Sequence, residues 1–109
     1  MPPARTVLLI EDEPHLLEEL TAALVEEGFT VKSASDGKTG LGLIAEIKPS
    51  AVVLDLILPK LDGFQVLQEA KKNPETASIP IIVLSNLETS ENVERAIRLG
   101  AVSYLVKPN

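Results

Sequence analysis

Cysteine is missing from the 109 residues, which excludes disulfides, thiolate nucleophiles and thiolate metal sites while leaving the redox compartment open. Tryptophan is missing too, and aromatic residues make up only 3% of the chain, so a core must be built mainly from Leu, Ile, Val and Ala. No basic run occurs, and the formal net charge is -6. Nucleic-acid binders draw much of their affinity from Lys and Arg set against phosphates, so direct nucleic-acid binding is not expected. No apolar run approaches the roughly 20 residues that span a bilayer. Met1 to Thr6 carries one Arg but no following apolar stretch long enough for a signal peptide. A soluble, cytoplasmic chain with no membrane insertion is expected, with residues 1–5 disordered. The length leaves room for one domain, 1–109.

What is present begins with short apolar runs: Val7 to Ile10, Ala51 to Leu58 (interrupted by Asp55) and Ile79 to Leu84. Runs of this kind suit strands covered on both faces, as in a parallel sheet. Val102 to Val106 is a shorter candidate, and Phe29 to Ala34 alternates like a strand nearer an edge. Helical spacing lies between them. Leu16, Leu17, Leu20, Ala23 and Leu24 mark one apolar stripe, with Pro14 at its start and Gly28 just past its end. A second helix is predicted over Asp36 to Ile47 with Leu41, Ile44 and Ile47 inward, although Gly40 and Gly42 within it each cost about 1 kcal/mol relative to Ala. A third is predicted over about Asp62 to Lys72, burying Phe64, Leu67 and Ala70, with Asp62 and Gln65 spaced as a capping pair. A fourth runs from about Ser90 to Leu99, with Val93, Ala96 and Ile97 inward and Gly100 closing it. Strict alternation of strand and helix predicts an α/β fold with right-handed crossovers, a doubly wound five-stranded parallel sheet and helices on both faces.

In such a sheet, ligands gather beyond the carboxyl ends of the strands. Strand one ends in Glu11-Asp12-Glu13, strand three in Asp55, strand four in Ser85 and strand five in Lys107. Crowded carboxylates repel unless a cation neutralises them. An all-oxygen cluster without His or Cys favours a hard ion, Mg²⁺ foremost and Mn²⁺ as a second possibility. A lysine supplies point charge for a phosphoryl group and a serine hydroxyl can donate to one of its oxygens, which together suit phosphoryl transfer. Taken singly, Glu11 and Asp12 could equally be the acidic start of a helix. Glu13 reads as helix-start charge, and His15 as a surface group.

The segments VLLIEDE (Val7 to Glu13), VVLDLILPKLDGFQVL (Val52 to Leu67), IIVLSN (Ile81 to Asn86) and YLVKP (Tyr104 to Pro108) occur in that order. Together they resemble the receiver domain of two-component response regulators, a chemotaxis-regulator-like domain of flavodoxin-like fold, over nearly the whole chain. The resemblance implies strand order 2-1-3-4-5. It implies that Asp55 is the phosphoacceptor for a sensor histidine kinase, a phosphotransfer protein or acetyl phosphate, and that Lys107 and Ser85 bind the phosphoryl group. Glu11, Asp12, Asp55 and the main-chain carbonyl of Ile57 would hold Mg²⁺, with Glu11 acting largely through water. Ser85 and Tyr104 would form the switch that alters the surface of helix four and strand five. Lys107-Pro108 is by the same resemblance a candidate cis peptide. The chain would be no enzyme beyond its own phosphorylation and dephosphorylation, and a downstream protein or a second copy would be its further partner.

Several positions depart from the family pattern. Glu11 stands where an aspartate is common, and Asn86 where a small residue is usual. Ile57 and Leu87 occupy the two variable positions beside the line of attack of hydrolytic water. Both are apolar, and a long-lived phosphoryl group is expected. The family's fifth helix has no counterpart here, and apolar surface should be exposed in its place. That cover is either trimmed from this stretch or supplied by another chain, and Met1 is expected to be the natural start of a stand-alone or N-terminal receiver. Two other functions remain in view: a phosphorylation-independent interaction module on the same scaffold, and a Mg²⁺-dependent phosphatase of the haloacid dehalogenase type. The phosphatase needs a second acid where Ile57 stands, and a cap domain. Flavin binding is disfavoured because no phosphate loop rich in Ser, Thr and Gly follows strand one.

Overall fold

The computed structural model describes residues 5–107. Within them the elements alternate as β1 (Thr6–Ile10), α1 (Pro14–Glu26), β2 (Thr30–Ala34), α2 (Gly37–Ile47), β3 (Ala51–Leu54), α3 (Gly63–Lys72), β4 (Ile81–Ser85), α4 (Ser90–Arg98) and β5 (Ser103–Val106). All five strands pair in parallel, in the order β2-β1-β3-β4-β5. The chain steps one way from β1 to β2 and the other way for every later strand. Right-handed crossovers therefore put α1 on one face and α2, α3 and α4 on the other.

The main core lies under α2 to α4. Leu8, Ile10, Val52, Leu54, Ile81 and Val83 pack there against Ile44, Phe64, Val66, Leu67, Ala70 and Ala96. Residues alternating with them along the strands point to the opposite face. There Val7 and Leu9 are buried, while Val53, Ile82 and Leu84 are only half-buried. On β5 and beside it Val102, Leu105 and Val106 are exposed.

Local signals set the helix boundaries. Asp36, Asp62 and Thr89 cap α2, α3 and α4, accepting from the main-chain N–H of Thr39, Gln65 and Asn92. Pro14 opens α1, whose N-cap Glu13 makes no side-chain cap bond. Gly28 and Gly100 follow α1 and α4 with φ of 97° and 115°, left-handed conformations that glycine adopts without a Cβ penalty.

Four sequence expectations need correction. The run Ala51 to Leu58 is a strand only to Leu54, because the chain leaves the sheet at the acidic rim. The run Ile79 to Leu84 becomes a strand only at Ile81, since Pro80 lacks the N–H that a ladder uses. Ala23 and Ile97 are exposed rather than inward. On α1 no residue is fully buried, so its stripe narrows to Leu16, Leu17, Leu20 and Leu24. On α4 only the small Ala96 reaches the core, and Ile97, one position on, is turned about 100° away. The expected disorder of residues 1–5 falls outside the described residues except at Arg5, whose carbonyl accepts from the N–H of Thr30 at 2.9 Å.

Gly40 and Gly42 are unlike. A Cβ at Gly40 would lie 2.6 Å from the side chain of Ile10, whereas one at Gly42 would meet nothing within 4 Å. Gly42→Ala should stabilise the fold by about 0.5–1 kcal/mol through helix entropy. Gly40→Ala should destabilise it by about 1–3 kcal/mol through overpacking. Urea unfolding of both variants measures the difference, and equal effects would contradict the packing described for Ile10.

Candidate functional site

The rim is built by continuing the sheet one residue past its strands. The N–H of Glu11 donates to the Ala34 carbonyl, that of Asp55 to Ile10, and that of Lys107 to Ser85, at 3.0, 3.0 and 2.9 Å. Each functional residue is thus held by a ladder bond at the point where its strand stops. Because the strands are parallel, all these ends lie on one edge.

Glu11, Asp12 and Asp55 can each offer a carboxylate oxygen with all three within 4.8 Å of one another. Glu11 and Asp55 are buried, whereas Asp12 is exposed. Between the two buried acids sits Lys107, itself buried. Its Nζ lies 2.7 Å from Glu11 Oε1 and 2.9 Å from Asp55 Oδ2. The other oxygens are also engaged: Glu11 Oε2 accepts from the N–H of Glu13 at 3.0 Å, and Asp55 Oδ1 from the N–H of Ile57 at 3.2 Å.

The electrostatics follow from this packing. Burial pushes the Glu11 carboxyl above its ordinary value, and the nearby Asp55 charge adds to the rise despite hydrogen bonds from Lys107 and the Glu13 N–H. Burial alone would lower the Lys107 ammonium, but bonding to Glu11 and Asp55 outweighs it and raises the group. Burial likewise raises the Tyr104 phenol, with the Asp55 charge in the same direction and contact with Ser85 opposing.

Ser85 is fully buried at the end of β4, and its Oγ accepts from the N–H of Leu87 at 3.3 Å. Tyr104, half-buried on β5, donates its hydroxyl to the Leu87 carbonyl. The two putting-together bonds make Ser85, Leu87 and Tyr104 one connected group. Ile57 is exposed, 55%, at the mouth, while Leu87 packs against the core. The Lys107-Pro108 bond lies outside the described residues.

Glu13, read from the sequence as helix-start charge, is the N-cap of α1 and is not among the three clustered acids. Its half-exposed carboxylate also lies 3.9 Å from the Lys107 ammonium, a contact the sequence does not record.

The donor set fits a hard divalent cation: it is all oxygen, partly buried, and carries more negative charge than Lys107 balances. Replacing Lys107 by Met would leave two buried carboxylates without their counter-charge. It should destabilise the protein by about 3 kcal/mol in chelator. Urea unfolding with EDTA checks this, and a loss below about 1 kcal/mol would mean that the buried pairing is not maintained in solution.

Comparison with known proteins agrees with this geometry. Residues 7–109 match the family model described as the response regulator receiver domain. Protein PilH of Pseudomonas aeruginosa is 34% identical over 94% of this chain and 84% of its own length. Other relatives, several of them transcriptional regulators, are matched over only 22% to 45% of their own length. The receiver domain of the sensor histidine kinase PA1611 of Pseudomonas aeruginosa, solved with a magnesium ion in its active-site cleft, is 27% identical with a TM-score of 0.88. That match covers 98% of this chain and 88% of the solved one. The Mn²⁺-bound response regulator Rcp1 is 28% identical with a TM-score of 0.89, over 96% and 82%. The strand order, the acidic rim and these matches agree, and the chain belongs to the response regulator receiver domain family.

Proposed function

We propose that Asp55 is the phosphoacceptor through which this receiver domain is switched. The observation that carries this is the Lys107 ammonium between Asp55 and Glu11, with Asp12 beside them. An oxygen of Asp55 attacks the phosphorus of a phosphohistidine or of acetyl phosphate. The bond from phosphorus to the imidazole nitrogen or the acetyl oxygen breaks, and an aspartyl phosphate remains. Lys107 neutralises charge on the phosphoryl oxygens, and the Ser85 hydroxyl donates to one of them.

Glu11, Asp12, Asp55 and the Ile57 carbonyl would hold Mg²⁺, or Mn²⁺ in its place. When bound, the cation supplies positive charge against the acids and the phosphoryl group. Glu11 is already bonded to Lys107, so its part in holding the ion combines with a part in holding the lysine. The chemistry ends on the chain's own aspartate, which takes the phosphoryl group from the donor.

Phosphorylation adds about 1.5 to 2 negative charges at the rim. Lys107 and Ser85 re-pair around that charge, and Tyr104, tied to Leu87 and in contact with Ser85, carries the change to α4 and β5. Ile97, Val102 and Leu105 are exposed there, which suits a downstream protein or a second copy. The sensor histidine kinase or phosphotransfer protein is the donor, and the setting is cytoplasmic. Among the described residues no helix is long and apolar enough to cross a membrane.

Incubation with Mg²⁺ and acetyl phosphate should add one phosphate to the intact mass of the wild type and none to Asp55→Ala. No adduct in the wild type, together with no beryllofluoride binding, would favour an interaction module that works without phosphorylation. Neither the Ile57 nor the Leu87 side chain has a group that could hydrogen-bond an attacking water. Ile57→Asn and Leu87→Glu should therefore speed loss of the phosphoryl group, read by mass against time. Unchanged decay in both would sink the idea that these side chains set its lifetime.

A further inference from the structure

The loop that joins β3 to α3 runs from Asp55 to Asp62 and contains Ile57. Both its flanks are fastened. The N–H of Asp55 bonds to Ile10 at one end, and the N–H of Gly63 bonds back to the Leu56 carbonyl at 2.9 Å at the other. Its tip is held by a helix with no side chain in the acceptor site. The N–H of Gly37, the first residue of α2, donates to the Pro59 carbonyl at 3.2 Å. One of the donors that every helix start leaves free is thereby satisfied by the loop. The same carbonyl accepts from the N–H of Leu61 at 2.8 Å. Lys60, between them, has φ of 69°, and its Nζ lies 4.0 Å from Asp36 Oδ2, on the residue that caps α2.

The approach is closer than any side chain allows. A Cβ on Gly37 would stand 1.7 Å from the Leu61 carbonyl oxygen and 2.7 Å from its carbon. That neighbour is backbone, so it can move only by moving the loop. Pro59 is two residues from Ile57, whose N–H fixes Asp55 Oδ1. A displaced tip therefore alters both the Ile57 main chain and the orientation of the Asp55 carboxylate.

We propose that Gly37 is a positioning residue for the acceptor site: its missing side chain lets the start of α2 hold the Pro59–Leu61 tip, and through it the Ile57 main chain and the Asp55 carboxylate. The inference rests on the reading of that site as a Mg²⁺ site. Groups that support a ligand without touching the metal typically change its affinity by roughly 10–100-fold when altered.

Mg²⁺ titration by calorimetry, with thermal unfolding in EDTA as a check of the fold, tests this. Gly37→Ala should bind Mg²⁺ at least about tenfold more weakly than the wild type. Gly42→Ala, on the same helix but facing open space, should bind it equally. Equal affinity in Gly37→Ala, whatever its melting temperature, overturns the proposal. Should that variant fail to fold, amide hydrogen exchange on the wild type decides. Saturating Mg²⁺ must slow exchange at Gly37 several-fold relative to Lys48 at the far end of α2, because coupling between two sites is reciprocal. Unchanged exchange at Gly37 overturns the proposal. A wild type that takes no Mg²⁺ defeats the reading of the site itself, whereas Mg²⁺ bound alike by wild type and Gly37→Ala defeats only the role of Gly37.

Discussion

The ammonium of Lys107 joins parts of the chain that are far apart in sequence. It comes from the end of β5 and touches acids at the ends of β1 and β3, all three groups being buried. Removing such a group from water is costly unless its partners are placed to compensate. The placement in turn depends on the parallel sheet, on the ladder bonds that reach one residue past each strand, and on the loops that turn away immediately beyond. The acidic rim is therefore a property of the whole sheet more than of any one segment.

The same contacts give the site two uses for one set of charges. A lysine held between two carboxylates fixes the Asp55 carboxylate in place, and under the proposed function the same ammonium would face an incoming phosphoryl group. Little side-chain reorganisation is then needed for Lys107 to serve a third anion. At Leu87 a buried serine hydroxyl and a tyrosine phenol are bonded to one residue's main chain.

Much of this was legible in the residues. Unbroken apolar runs ending in acids, a serine and a lysine placed the strand ends, and their order placed the rim. Asp62 announced the cap of α3, and Pro14 the start of α1. What could not be read depended on distance through space. Periodicity marked Ala23 and Ile97 as inward, yet it carries no information about what a helix face meets, and both are exposed. Gly40 and Gly42 look alike in sequence, but only Gly40 faces a buried Ile10. Glu13 near Lys107 and Gly37 against Leu61 are contacts between elements joined through the fold, and no local pattern records them.

Tyr104 has a consequence of a different kind. These 109 residues contain one tyrosine and no tryptophan. Nearly all absorbance and emission of the chain in the near ultraviolet thus comes from a single ring. That ring is bonded to the Leu87 carbonyl and lies within the field of Asp55. The molecule carries a natural optical reporter at the junction between its acceptor and its outward surface, and no label is required to watch that junction.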